Sequence, residues 1–233
     1  MKLWQYWFMR MYYRVFCGKA WRKSALPPTL RWFNTAGSLL LEANTLDPRF
    51  VGGVQPNQQE KIMEMLEDWW DIVDHDSAIE EMTGLIKRGM RASFAYKMRH
   101  GEGEKKMRQI WEKQGENAFL GWDLCRAVYV STWCFACRYI SLEELMELGV
   151  AAGKKLQEHF GDWDEVMKSY LTGLWYWMEP DGAGEKRSYQ LRVHLWKQLR
   201  KSGSGAYGVT AFFTPLTTQL TDAEKAQLGV THL

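Results

Sequence analysis

Five times along this chain a short polar side chain is followed three residues later by Glu, just before an apolar-periodic run. The pairs are Asn57–Glu60, Ser77–Glu80, Ser141–Glu144, Asp162–Glu165 and Thr221–Glu224. In each, the first side chain is placed to accept from an orphan amide of an opening helical turn while the Glu reaches back. Recurrent helix starts predict a mainly α protein: a single compact multi-helix domain. The breaks between them carry Pro and Gly, as in Ala25-Leu-Pro-Pro28, Asp47-Pro-Arg-Phe-Val-Gly-Gly53, His100-Gly-Glu-Gly103 and Glu179-Pro-Asp-Gly-Ala-Gly184. Only "AYGVTAFFT", after Ser202-Gly-Ser-Gly205, offers a short β or irregular element near the C-terminus. The expected division is an aromatic, basic, amphipathic helix over residues 1–24, a helical core over 25–205, and an extension over 206–233 packed on that core.

A chain of 233 residues with 46% hydrophobic and 25% charged residues can bury a sizeable core and is not a disordered polymer. Its net charge of +2 exerts no overall pull on nucleic acid or anionic lipid. Four cysteines (Cys17, Cys125, Cys134, Cys137) are too sparse for a disulfide framework and read as reduced thiols. No apolar run is long enough to span a bilayer, and Arg10 and Arg14 interrupt what would be a signal sequence. The expected location is cytoplasmic, with a position peripheral to the inner membrane as the alternative.

That alternative comes from "LWQYWFMRMYYRVF" (Leu3–Phe16). Trp4, Trp7, Phe8, Met11, Tyr12, Val15 and Phe16 share one helical face, and no acid precedes Glu42 while seven bases do. Such a helix suits a membrane surface or a protein partner. Because Tyr6, Met9 and Tyr13 extend the apolar surface round the helix, burial in the core is the preferred expectation.

Motifs with chemistry are few. Cys134-Phe-Ala-Cys137 lies inside a helical pattern with no further metal ligands nearby, so buried inert thiols are expected. Asp74-His75-Asp76 precedes a helix start and reads as a solvated turn rather than a cation site. No phosphate loop, nucleophile elbow or zinc-protease motif is present, so no catalytic residue, metal or cofactor is assigned. Asp123 and Arg126 are three apart on one helix among Trp122, Leu124 and Val128, which predicts a partly buried ion pair. Between Glu60 and Glu81 there are nine acids and one lysine, and between Lys87 and Lys113 nine bases and three acids. Solvated helix faces are the ordinary meaning of such blocks.

Taken together, Trp69-Trp70, Gly89-Met90-Arg91, Trp122-Asp123…Arg126, Ile140-Ser141…Glu144 and Asp162-Trp163 resemble the bacterial family known as domain of unknown function 1266, over roughly residues 30–200. Where the family pattern has Gly-His-Arg, this chain has Met90, so a base at that position would be missing. The resemblance implies a bacterial, cytoplasmic protein and supplies no activity. By analogy with other small helical proteins, the expected function is non-enzymatic: an immunity-type inhibitor that neutralises a bacterial toxin through its acidic face of Glu64, Asp68, Asp71 and Asp74. The alternatives are an enzyme with a cleft around Asp123, Arg126 and Arg91, and a peripheral membrane protein anchored by residues 1–24.

Overall fold

The computed structural model describes residues 1–16, 20–179, 182–201 and 205–228. Their α-helices in chain order are α1 (Leu3–Phe16), α2 (Pro28–Ala36), α3 (Ser38–Ala43), α4 (Gln59–Trp70), α5 (His75–Lys87), α6 (Gly89–Arg99) and α7 (Lys105–Gln114). There follow α8 (Asn117–Ala136), α9 (Leu142–His159), α10 (Trp163–Met178), α11 (Ala183–Leu199), α12 (Ala206–Val209) and α13 (Asp222–Gln227). The described residues contain no strand, so the expected all-helical class holds.

The sequence of α8 explains the architecture. "NAFLGWDLCRAVYVSTWCFA" carries two charges in 20 residues and is apolar on every side. Such a helix is satisfied only when surrounded. It runs through the centre, with α2, α4, α5, α6, α7, α9 and α10 packed around it. The closest partner is α10, because Gly121 lets the two backbones meet. A Cβ there would lie 2.5 Å from the Val166 carbonyl oxygen. Ser169 Oγ fills the crossing, accepting from the Gly121 N–H at 2.8 Å and donating to the Asn117 carbonyl at 2.6 Å.

Indole N–H groups fasten the C-terminal segment. Trp32 Nε1 donates to the Phe212 carbonyl at 2.8 Å and Trp163 Nε1 to the Thr210 carbonyl at 2.9 Å, while Gln157 Nε2 also donates to Phe212 at 2.7 Å. These carbonyls therefore serve side chains of α2, α9 and α10. "AYGVTAFFT" forms the single turn of α12 and an irregular stretch instead of a strand.

The N-terminal helix differs most from expectation. It spans Leu3–Phe16, shorter than residues 1–24, and is followed within that stretch by a 3-10 turn at Trp21–Lys23. Its apolar faces are also placed the other way round. Tyr13 is buried and Tyr6, Met9 and Tyr12 pack on the core, whereas Trp4, Trp7, Phe8, Met11 and Val15 are exposed. Burial of the Trp4–Phe8 face, the preferred expectation, is thus corrected. The protein surface offered by α11 accommodates the narrower tyrosine and methionine face, held by Arg187, which donates twice to the Met1 carbonyl at 2.9 and 3.0 Å.

The turn before α5 is built by Asp74, not Ser77. Asp74 accepts from the Ser77 N–H at 2.9 Å and from Ser77 Oγ at 2.6 Å, and the hydroxyl holds its carboxyl below the usual carboxylate range. Next to it, His75 Nε2 meets Glu144 at 2.7 Å and Nδ1 meets Asp76 at 3.0 Å. Glu144 first, then Asp76, raises the imidazole above its ordinary value. A raised folded-state value stabilises fully below the unfolded value near about 6.5 and is lost as pH rises through the folded one. The melting-temperature gap between wild type and His75→Gln is therefore expected to be wider near about pH 5.5 than near about pH 8.5. An unchanged gap would show that the α5–α9 contact contributes nothing through charge.

Candidate functional site

Five of the thirteen tryptophans converge on one place. Trp69 and Trp70 at the end of α4, Trp122 and Trp133 on α8, and Trp177 on α10 line a cavity of about 320 Å³ with Tyr170, Arg126 and Arg192. Helical spacing brings these side chains together. Trp122, Arg126 and Trp133 fall on one face of α8, and Tyr170, Leu174 and Trp177 on the facing side of α10. The rings pack edge-on or tilted, with Trp122 4.9 Å from Tyr170 and 6.1 Å from Trp177 between centroids.

The floor is a charge cluster. Asp123 is fully buried and accepts four hydrogen bonds: from the Met90 and Arg91 N–H groups at 2.9 and 3.0 Å, from Arg91 Nη1 at 3.1 Å and from Arg126 Nη2 at 3.2 Å. Two of these are orphan amides opening α6, where the helix dipole also favours an anion. Gly89 makes this approach feasible: its φ is +57°, and a Cβ would sit 2.2 Å from Asp123 Oδ2. Arg91 continues to the other side, donating to the Leu85 and Ile86 carbonyls at 2.9 and 2.7 Å and so closing the C-terminus of α5. Asp123 and Arg91 thus join α5, α6 and α8 beneath the cavity, and of the three expected cleft residues only Arg126 reaches its lining.

Arg126 sits over two indoles, its guanidinium carbon 4.2 Å from the Trp122 ring centroid and 5.3 Å from that of Trp70. Burial pulls its pKa down, against the opposing pull of Asp123. Burial likewise pushes the Tyr170 hydroxyl up to about 12. Arg192 also lines the cavity, where its charge acts on Tyr170, and it makes no hydrogen bond or ion pair with the described residues. The Trp122 indole N–H, on a ring only 4% exposed, also lacks a partner among them. Glu81 stands half-buried at the edge, and desolvation raises its carboxyl. The site therefore presents flat apolar walls, a fixed cation, and a second cation and an indole donor with no hydrogen-bond partner among the described residues.

Of the expected acidic face, only Asp71 reaches the cavity lining. Glu64, Asp68, Asp71 and Asp74 are all exposed along α4 and the turn after it, beside Trp69, which is 70% exposed. Asp71 borders the cavity and ends α4 at a positive φ of 53°. Asp74 is occupied as a helix cap. Met90, where the resemblance implies histidine, does not line the cavity; it packs between the core clusters. Cys125, Cys134 and Cys137 are free and buried, and burial pushes Cys134 and Cys137 up to about 12. Cys17 lies outside the described residues. Among the described residues no group of three His, Cys, Asp or Glu side chains is placed to hold a metal ion. None of their helices is long and apolar enough to cross a membrane.

Residues 98–212 match the family described as Protein of unknown function (DUF1266), the family that the motifs resemble. Trp122, Asp123, Arg126, Trp133, Tyr170, Trp177 and Arg192 lie within the match, whereas Trp69-Trp70 and Gly89-Met90-Arg91 precede it. No curated protein and no solved structure matches the chain.

Proposed function

From a chain whose residues 98–212 carry a DUF1266 region, we propose a small-molecule binding protein. Its ligand is a flat molecule bearing a carboxylate or similarly acceptor-rich end. The carrying observation is the cavity itself: five indoles around two arginines, one fixed by Asp123 and one with no partner among the described residues. Its volume lies at the lower end of small-molecule sites. Indole faces favour a planar body, while guanidinium groups recognise a carboxylate in two-point contact. Arg126, already stacked and anchored, needs no reordering to bind, which limits the entropy lost.

Titration with aromatic carboxylates, from benzoate to indole-3-acetate, against the corresponding neutral amides tests this reading. The acids should bind and the amides should bind more weakly. Arg192→Gln should weaken the acids by about tenfold, or roughly 1.4 kcal/mol, and leave the amides little changed. Equal affinity for acid and amide, or for wild type and variant, would remove the anion-recognising role.

A second reading keeps the inhibitory contact with a basic protein, such as a toxin cleft. It is favoured by Trp69 standing out from Glu64, Asp68 and Asp71, since an exposed indole within charged surroundings has the composition of a binding hot spot. Glu64→Lys with Asp68→Lys should slow association with such a partner and reverse its salt dependence. Unchanged rates would exclude this face.

A further inference from the structure

We propose that α1 docks the protein on an anionic lipid surface. The outward face of this helix carries Trp4, Trp7, Phe8, Met11 and Val15, each exposed, with Trp4 at 66% and Met11 at 63%. A row of large apolar side chains on one helix face is far more than the scattered exposure of an ordinary surface. The opposite face is already committed to the protein through Tyr6, Met9 and Tyr13. The helix is therefore held in place with its sticky side outward.

Charge selects the occupant. Residues 1–41 contain seven bases and no acid. Lys2, just before α1, and Arg14 on it are exposed, while Arg10 folds back over the rings of Tyr6 and Trp7 at 5.5 and 5.2 Å. The neighbouring helix α11 adds Lys186 and Lys197, with Lys201 just after it, all exposed, against one exposed acid, Glu185; Arg200 is paired with Asp164. The two sets adjoin because α1 packs along α11; burial lowers His194 between them, as do the charges of Arg10, Lys201 and Lys197, against a backbone hydrogen bond with Arg10. An apolar strip bordered by cations matches an interface of acyl chains beneath anionic headgroups, with Trp at the boundary. A second copy fits less well, because two-fold apposition would bring like charges together. No helix among the described residues is long and apolar enough to cross a membrane, so the proposed contact is peripheral.

The test uses the full chain with phosphatidylcholine vesicles, with and without phosphatidylglycerol, in a flotation assay. Wild type should float with the anionic vesicles, less so at high salt, and Trp4→Glu with Phe8→Glu should lower the bound fraction at least tenfold. Lys2→Glu with Arg14→Glu, which leaves the apolar row intact, should weaken binding to anionic vesicles specifically. Light scattering in the absence of lipid provides the competing outcome. If wild type does not float, if the double variants float equally, or if a dimer is found that Trp4→Glu with Phe8→Glu dissolves, the lipid surface is excluded.

Discussion

Asp123→Ala is expected to destabilise the protein by about 3–5 kcal/mol, measured by urea unfolding. The carboxylate answers two guanidinium groups and two helix-opening amides from a fully buried position. Its removal leaves Arg91 and Arg126 without the carboxylate between them and the start of α6 without an acceptor. Such one-sided removal costs more than the intact cluster contributes, because desolvated charges are left unpaired. Asp123→Asn should lose less, since the amide oxygen still accepts from the Met90 or Arg91 N–H. A loss below about 1 kcal/mol for the alanine variant would mean that the cluster is wet and relaxes freely.

Gly121→Ala is the second large effect, about 3 kcal/mol, because the added methyl meets backbone. With the Val166 carbonyl at 2.5 Å and Ser169 Cβ at 2.9 Å, α8 and α10 must separate. That separation would also open the cavity, whose walls stand on these two helices. Gly84→Ala is the natural control: a Cβ there meets nothing within 4 Å, and in the middle of α5 it should stabilise by about 0.5–1 kcal/mol. Similar losses at both positions would refute close backbone packing as the reason for Gly121.

The helical class was legible because its signals are local. Ser141 and Thr221 form reciprocal capping boxes with Glu144 and Glu224, as their spacing predicts. Asp162 accepts from the Glu165 N–H, but Glu165 turns to the Gly161 N–H instead of closing the box. Ser77 was displaced by a stronger competitor one turn earlier, Asp74, and a Gln55–Gln58 box on a 3-10 turn stands in place of Asn57–Glu60. Two capping side chains within one turn are decided by where the chain bends, which depends on distant packing. The same limit governs α1: with apolar residues on both faces, periodicity identifies the helix but not which face turns inward.

The candidate site was legible in fragments. Asp123 and Arg126 pair at 3.2 Å as their spacing on one helix predicts, and the Trp122, Arg126, Trp133 face is visible in the sequence. What local spacing cannot supply is that this face meets Trp177 of α10, 55 residues after Trp122, and Trp69-Trp70 of α4, 53 and 52 residues before it. Trp32 and Trp163 fasten the C-terminal segment, while five other tryptophans surround a cavity. Arg192, on a separate helix, carries no local signal at all.

The account depends on that cavity taking a planar acceptor beside Trp122 and the two arginines. Its most direct measurement is the indole N–H spectrum of ¹⁵N-labelled protein, with the Trp122 signal assigned through Trp122→Phe. On addition of indole-3-acetate, the Trp122 and Trp133 signals should shift together and saturably, and those of Trp32 and Trp163 should stay in place. Shifts confined to Trp32 and Trp163, or none at any of the four, would contradict it.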